Sequence, residues 1–313
     1  MKGLCQPSPK EMATPCYPCS VGPFRFPEDE GSHPGYLEEW WYLKVHFASD
    51  EGKRYAFMVS YINQGYRVSA LVDLDRRAHH RFSYPPEAGP LSTTEGCHAL
   101  TQGNSWWIHG EKAFHYRLHE EMATKEARFG SLDLELSPHK PPVPVGGGIV
   151  KMGRNGSTYW YALTRLHAKG RIALGSGERS LEGVGWLDRQ WGSWNWMGFQ
   201  GWKWFAVDLD DGREVAAFQI SEPVSLRPMV SICQLIAQDG SCQIASDLRV
   251  RNLGSWHSPS TGEVYTCGWR IDSRGLDLQL EILPALAAQE VHRGLWEGCL
   301  LYTSDAADEE DSV

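Results

Sequence analysis

The sequence predicts an all-β protein of antiparallel strands, arranged as a barrel or a sandwich. In many short segments apolar and polar residues alternate with a period of two, which is typical of strands with one buried and one wetter face. Turn-forming groups that end in glycine separate these segments, as at Asp50-Glu51-Gly52 and Asp210-Asp211-Gly212. The sequence contains no long amphipathic helical pattern. Many short strands with glycine-rich turns favour a barrel or a sandwich.

Length and charge limit the classes of function. A chain of 313 residues can form two domains or one large barrel. Its net charge is −9, and no basic stripe of the kind that binds nucleic acid is present, so no nucleic-acid partner is expected. No apolar run approaches the roughly 18 residues that would span a bilayer, so no membrane span is expected either.

The first 23 residues are expected to form a flexible leader. They contain no apolar segment of the kind found in signal peptides. Cys16 and Cys19 have zinc or redox spacing, but no second pair accompanies them, so they are interpreted as reduced thiols. His115 and His119 lie on a predicted strand, where four residues separate their Cα atoms by roughly 13 Å, too far to share an ion. The sequence therefore predicts no metal and no cofactor.

The strand pattern continues along the chain and contains a weak internal repeat. WWYLKVHF at 40–47 matches WKWFAVDL at 202–209, and each segment is followed by an acidic-glycine turn and another strand. The repeat predicts two similar β-units, at 24–195 and 196–298. Further alternating strands are predicted at FHYRLH (114–119), SLDLELS (131–137), VYTCGWRI (264–271) and LDLQLEIL (276–283).

Six of the 14 tryptophans lie between Gly183 and Phe205, where the first unit meets the second. They are open to three interpretations: packing of a core or domain interface, the wall of a pocket for a long apolar ligand, or a platform on which sugars stack. Adjacent aromatic pairs such as Trp40-Trp41 give both faces of a strand a ring.

Asp188 is the strongest candidate for catalysis. A carboxylic acid in an apolar, indole-lined site has a raised pKa and can donate a proton near neutral pH. Indole faces stabilise cations, so these groups together suit protonation of an alkene followed by capture of the cation by water. The alternative is structural, with Asp188 paired to Arg189 or to a backbone amide.

The last 15 residues differ from the rest of the chain. CLLYTSDAADEEDSV (299–313) is polar and acidic, and it resembles a translated sequencing-library adapter. It is therefore expected to be a non-native tail that is disordered or packs weakly, with a natural acidic tail as the alternative.

Several segments together resemble the hydroxyneurosporene synthase (carotenoid hydratase) and AttH-like family, in the same order and over residues 24–298. The resemblance implies two tandem lipocalin-like β-barrels with a ligand site near their junction, the second barrel lacking its closing strand. The matching segments are FPEDEGSHPGYLEEWWYLKVHF (26–47), STYWYALTRL (157–166), GVGWLDRQWG (183–192), GWKWFAVDLDDGRE (201–214), WHSPSTGEVYTCGWRI (256–271) and QEVHRGLWEG (289–298).

The resemblance also bears on chemistry. It implies that Asp188 matches the acid of the carotenoid hydratases. Tyr159 and Tyr161 stand where those enzymes carry His and Trp, and Trp186 stands where they carry Tyr. Fungal relatives of the same fold shape polyenes for cycloaddition without needing an acid.

The sequence therefore predicts a lipocalin-like protein that binds a long apolar ligand, of isoprenoid, carotenoid or lipid type, at the junction of two barrels. Hydration of a C=C bond with Asp188 as the acid, a hydro-lyase reaction, is one chemistry that such a site allows. A non-catalytic carrier, a cyclase-type enzyme of the same fold and a glycan-binding module stay open. The expected ligand contacts are Trp40, Trp41, Tyr159, Tyr161, Trp186, Trp191, Trp202 and Trp204.

Overall fold

The computed structural model describes residues 21–124, 127–175, 177–298 and 300–304. In these ranges the regular structure is entirely β-strand apart from four short 3-10 helices, which confirms the all-β prediction. No helix among them is long and apolar enough to cross a membrane. The leader residues 1–20, with Cys16 and Cys19, lie outside the described residues.

The strands are β1 (Glu38–Ser49), β2 (Arg54–Ile62), β3 (Tyr66–Asp73), β4 (Ala78–Tyr84), β5 (Ser92–Thr93), β6 (Ala99–Gln102), β7 (Ser105–His109), β8 (Tyr116–Ala123), β9 (Arg128–Pro138), β10 (Val143–Lys151), β11 (Ser157–Leu174), β12 (Gly177–Ser193), β13 (Gln200–Asp208), β14 (Glu214–Ser221), β15 (Pro228–Ile236), β16 (Cys242–Ala245), β17 (Arg249–Asn252), β18 (Ser255–His257), β19 (Val264–Thr266), β20 (Trp269–Ser273), β21 (Leu278–Pro284), β22 (Glu290–His292), β23 (Leu295–Trp296) and β24 (Leu300–Ser304). The 3-10 helices are Glu28–Glu30, Pro86–Ala88, Trp196–Gly198 and Arg274–Leu276.

Strands β1 to β12 form one curled antiparallel sheet, here called the large sheet. Its order is β4-β3-β2-β1-β12-β11-β9-β8-β7-β6-β5, and β10 pairs with β11 outside this path. The first and last long strands of this part, β1 and β12, lie side by side near the middle of the order. β12 is therefore hydrogen-bonded on both sides, by β1 and by β11.

The period of two along β1 separates the two faces of the large sheet. Trp41, Leu43, Val45 and Phe47 belong to the buried apolar cluster inside the curl, and this side is called the inner face. The other side is called the outer face, and the alternate residues of β1 that point to it are Trp40, Tyr42, Lys44 and His46. The inner face holds the first core, and the outer face meets the second part of the chain.

The second part, residues 200–304, contains two four-stranded antiparallel sheets and two hairpins. The sheet β13-β14-β15-β16 is apolar on both faces. Val215 and Ala217 of β14 pack toward the sheet β17-β20-β21-β24. Phe218 and Ile220 pack with Trp160 and Trp186, which lie on the large sheet. This sheet is therefore a middle layer that joins the large sheet to the last sheet.

The segment Leu300–Ser304 pairs with β21, from Pro284 opposite Leu300 to Leu280 opposite Ser304. It thus occupies the position of a further strand, where the sequence predicts the beginning of a weakly packed tail. The remainder of that tail, residues 299 and 305–313, lies outside the described residues.

Candidate active site

A cavity of about 670 Å³ lies between the outer face of the large sheet and the second part of the chain. Its floor comes from β1, β2, β3 and β12, and its opposite walls come from β13 and from the segments around 264–269 and 294–298. Its aromatic lining residues are Trp40, Tyr42, Phe57, Trp160, Trp196, Trp202, Trp204, Phe205, Tyr265, Trp269 and Trp296.

Asp188 lines this cavity from the middle of β12. Its Cα lies opposite Tyr42 of β1 on one side and Ala162 of β11 on the other. Only 3% of the residue is exposed. The carboxylate oxygen Oδ1 accepts hydrogen bonds from the indole N–H groups of Trp160, at 2.9 Å, and Trp186, at 3.0 Å.

The glycines of the motif around Asp188 permit the close approach of the strands on each side. A Cβ on Gly183 would lie 2.0 Å from the carbonyl oxygen of His46, and one on Gly192 would lie 2.3 Å from that of Ser157. Any side chain at these positions would therefore displace a neighbouring strand. The motif fixes the place of Asp188 between β1 and β11.

Burial raises the pKa of Asp188 to about 7, against the opposing effect of the two indole hydrogen bonds and of the Lys44 charge. Burial dominates because it disfavours the charged form of a carboxyl group. Near neutral pH a substantial fraction of Asp188 is thus protonated, and the group can act as a general acid toward a molecule in the cavity.

Other ionisable groups surround Asp188, and sequence reasoning missed them. The Tyr42 hydroxyl donates to Oε1 of Glu297 at 2.7 Å, and the Lys44 ammonium pairs with Asp208 at 2.9 Å. Burial raises the pKa of Glu297 to about 6, although the Tyr42 hydrogen bond and Lys44 oppose it. Burial, with the Lys44 charge, lowers the pKa of His46 to about 4.

The signal for three of these groups was present in the sequence. The alternation in WWYLKVHF places Tyr42, Lys44 and His46 on the same face as Trp40, so a polar stripe beside the tryptophan was predictable. Glu297 carried no such signal. Glu297 comes directly after the irregular hairpin β22–β23, and only the tertiary packing of this segment brings it to the cavity.

The structure divides the aromatic residues predicted to contact a ligand. Trp40, Trp202 and Trp204 line the cavity together with Asp188. Trp186 is fully buried, lies beside the cavity and donates its hydrogen bond to the carboxylate.

The other four, Trp41, Tyr159, Tyr161 and Trp191, lie at the inner face, where they belong to or pack against the core inside the curl. Trp41 follows Trp40, and Trp191 is three residues from Asp188, so a period of two sends both to the inner face. The prediction that these four share one site with Asp188 therefore does not match their placement.

Arg189 is also on the inner face, opposite to the neighbouring Asp188. Its guanidinium donates to the Glu39 carboxylate and lies 3.9 Å from the centroid of the Trp41 ring. The His33 ring stacks on Trp191 at 3.9 Å and contacts Glu39 at 2.8 Å. This charged network anchors the segment before β1, and it removes Arg189 as the partner of Asp188.

Comparison with known proteins now places the chain. The sequence profile of the AttH-like family matches residues 18–308. A crystal structure of an AttH from Nitrosomonas europaea superposes with a TM-score of 0.78 at 21% identity, covering 93% of this chain and 95% of that one.

A second solved structure, kievitone hydratase from Nectria haematococca, superposes with a TM-score of 0.69 at 14% identity, covering 87% of this chain and 83% of that one. No curated protein sequence matches the chain. At these identities the two structures show a shared fold, which is all-β and lipocalin-like. The family match, which spans most of the sequence, establishes that the chain belongs to the AttH-like family.

Proposed function

We propose that the protein binds an apolar, alkene-bearing small molecule in this cavity and adds water across its double bond, with Asp188 as the acid. The observation that carries the proposal is the position of Asp188, a buried carboxyl group with a pKa of about 7 at the edge of an aromatic-walled cavity. A substantial fraction of such a group is protonated at neutral pH, and a strongly perturbed carboxyl group in a cavity is a candidate for proton transfer.

The reaction uses groups that the cavity contains. The Asp188 carboxyl group transfers its proton to one alkene carbon, and the positive charge then develops on the other. The rings of Trp40, Trp202 and Trp204 border the same space and can stabilise a cation, by about 2 kcal/mol or more once water is excluded. Water adds its oxygen to the cation and loses a proton, so that alkene and water become an alcohol.

Cavity size and lining suit a small apolar molecule, such as one of isoprenoid type. A volume of about 670 Å³ falls within the range of about 300–1,000 Å³ that is usual for small-molecule pockets. Its walls are mainly aromatic and aliphatic, with few polar groups. One of the two structural relatives is named as a hydratase, which supports the same class of reaction.

Incubation of the protein with isoprenoid alkenes in isotopically labelled water tests the proposal. Mass spectrometry should detect a labelled alcohol, and Asp188→Asn should lower its rate of formation by about 10²–10⁴-fold, because the amide cannot supply an acidic proton. Ligand affinity and melting temperature should stay close to those of the wild type, because the amide has nearly the same shape.

Asp133→Asn is the matched control, since its carboxylate is exposed and pairs with His119 away from the cavity. It should leave the rate unchanged. Saturable binding by the wild type without any alcohol product would instead identify a carrier. Undiminished turnover by Asp188→Asn would contradict the assignment of the acid.

A further inference from the structure

A second carboxyl group lies in the same cavity, on the wall that the second part of the chain provides. Glu297 follows β23 and borders the cavity. Its side chain is half-buried, and the exposed part faces the cavity. The Tyr42 hydroxyl donates to its Oε1 at 2.7 Å. Tyr42 in turn lies directly opposite Asp188 in the β1–β12 register. Tyr42 therefore lies next to both carboxyl-bearing residues.

We propose that Glu297 is the base of the hydration reaction and that Tyr42 positions it. This inference rests on the proposed function, because it assigns the step that follows proton transfer from Asp188. Asp188 lies on the floor of the cavity and Glu297 on a wall. An alkene bound between them can receive a proton from one side and water from the other.

The proposed step is balanced. A water molecule forms the new C–O bond with its oxygen lone pair as one of its O–H bonds breaks, and the Glu297 carboxylate takes that proton. The alkene gains H from Asp188 and OH from water. The reaction ends with Asp188 ionised and Glu297 protonated, and exchange of one proton with solvent restores the starting state.

The electrostatics of the pair agree with these roles. The negative charge of ionised Glu297 raises the pKa of Asp188, in addition to the effect of burial, and so favours a proton on Asp188 while Glu297 is ionised. The Tyr42 hydrogen bond and the Lys44 charge both favour the ionised form of Glu297. The titratable groups that line the cavity are Tyr42, Lys44, His46, Asp188, Lys203, Tyr265 and Glu297.

A structural role is the competing explanation, because Tyr42 and Glu297 also connect β1 to the segment after β23. The pH dependence of turnover separates the two. A catalytic base gives the rate an acid limb near pH 6, and the basic limb near pH 7 belongs to Asp188. Loss of a purely structural contact would lower the rate or the stability without removing one limb.

Three variants, assayed for hydration between about pH 4 and 9, test the inference. Glu297→Gln should lower kcat by about 10²-fold or more and abolish the acid limb, with ligand affinity retained. Tyr42→Phe should move the acid limb to higher pH, because it removes a hydrogen bond that lowers the pKa of Glu297. Glu281→Gln, an exposed carboxylate on β21 that pairs with Arg270, is the control and should match the wild type.

Addition of formate to Glu297→Ala should restore part of the lost rate, since a small carboxylate can replace the missing base. This variant also decides the question if Glu297→Gln proves unstable. A wild-type rate or an intact acid limb in Glu297→Gln would overturn the inference while leaving hydration by Asp188 in place. Absence of alcohol from the wild-type protein would instead overturn the proposed function, and this inference with it.

Discussion

At the scale of single residues, the surroundings of Asp188 set its chemistry. Two indole N–H groups donate hydrogen bonds to one oxygen of its carboxylate. The ammonium group of Lys44, on the neighbouring strand β1, lies over the ring of Trp186. All three favour the charged form, yet burial outweighs them. The pKa of Asp188 therefore depends on its neighbours, of which Lys44 supplies a positive charge.

Substitution of Lys44→Met should raise the pKa of Asp188 further, because it removes a positive charge that stabilises the carboxylate. The carboxyl stretching band of Asp188, assigned by difference from Asp188→Asn in an infrared pH titration, should then disappear at higher pH than in the wild type. The basic limb of any turnover should move in the same direction.

Lys44→Met also leaves Asp208 without its ion-pair partner. Comparison of the double variant Lys44→Met/Asp208→Asn with Asp208→Asn alone isolates the contribution of the ammonium. If Asp188 titrated at the same or lower pH in the double variant than in Asp208→Asn, Lys44 would not control this acid.

At the scale of strands and hairpins, one carboxylate anchors the segment that carries the far wall of the cavity. Glu290, at the start of β22, accepts hydrogen bonds from the hydroxyls of Ser258, Ser260, Thr261 and Tyr265, at 2.6–3.0 Å. Burial acts to raise the pKa of Glu290, but these hydroxyls outweigh it and lower the pKa to about 2. The hairpin β22–β23 is thus held by an ionised group.

This anchor predicts acid sensitivity of the hairpin. Because the folded pKa of Glu290 is depressed, its stabilisation is complete above the unfolded pKa of about 4.3 and is lost as the pH falls toward about 2. Protection factors of the amides in residues 290–296, which correct for the intrinsic slowing of exchange in acid, should therefore fall over that interval. Glu290→Gln should have lower protection factors already at neutral pH, with little further change on acidification, and a melting temperature lower by a few degrees.

The exposed carboxylate Glu263, which pairs with Arg293 near the same hairpin, offers the comparison. Glu263→Gln should retain the acid-dependent exchange of the wild type. If Glu290→Gln kept that dependence as well, the hydroxyl cluster would not be the anchor.

The elements were largely predictable from sequence because strand periodicity is a local property. The alternation in β1 correctly separated Trp40 from Trp41, and the all-β class followed from the same pattern. The sequence did not reveal which of the two faces would border a cavity. That choice depends on where β13 packs. The predicted set of ligand contacts therefore includes residues of both faces, among them Trp41, Tyr159, Tyr161 and Trp191. Glu297 could not be predicted, since its approach to Tyr42 joins residues that are far apart in the chain.

At the scale of the whole molecule, the cavity lies at the junction of the large sheet and the second part of the chain. Trp40 and Asp188 come from the large sheet, and Trp202, Trp204 and Trp296 come from the other side. A ligand in this cavity contacts both sides at once. Binding should therefore be visible in indole fluorescence and should stabilise the molecule as a unit.

An isoprenoid polyene or a long-chain lipid should quench tryptophan fluorescence saturably. At a free concentration of 100 times Kd, it should increase the free energy of unfolding by about 2.7 kcal/mol, measurable as a higher melting temperature. Trp204→Ala should weaken the effect, whereas Trp106→Ala, on β7 away from the cavity, should not. Quenching by soluble oligosaccharides but not by lipids would favour the sugar-platform interpretation.

The register that brings Asp188 beside Tyr42, and Tyr42 beside Glu297, also gives the site an order of assembly during synthesis. The acid and its indole partners, Trp160 and Trp186, are complete once β12 has paired with β1 and β11, and β13 follows soon after. The last part of the opposite wall, residues 294–298, is translated about a hundred positions later. Before this segment is synthesised, one wall of the cavity is missing and water can reach Asp188 from that side. The proposed reaction excludes bulk water from the site, so we expect a product that terminates before residue 294 to form no alcohol.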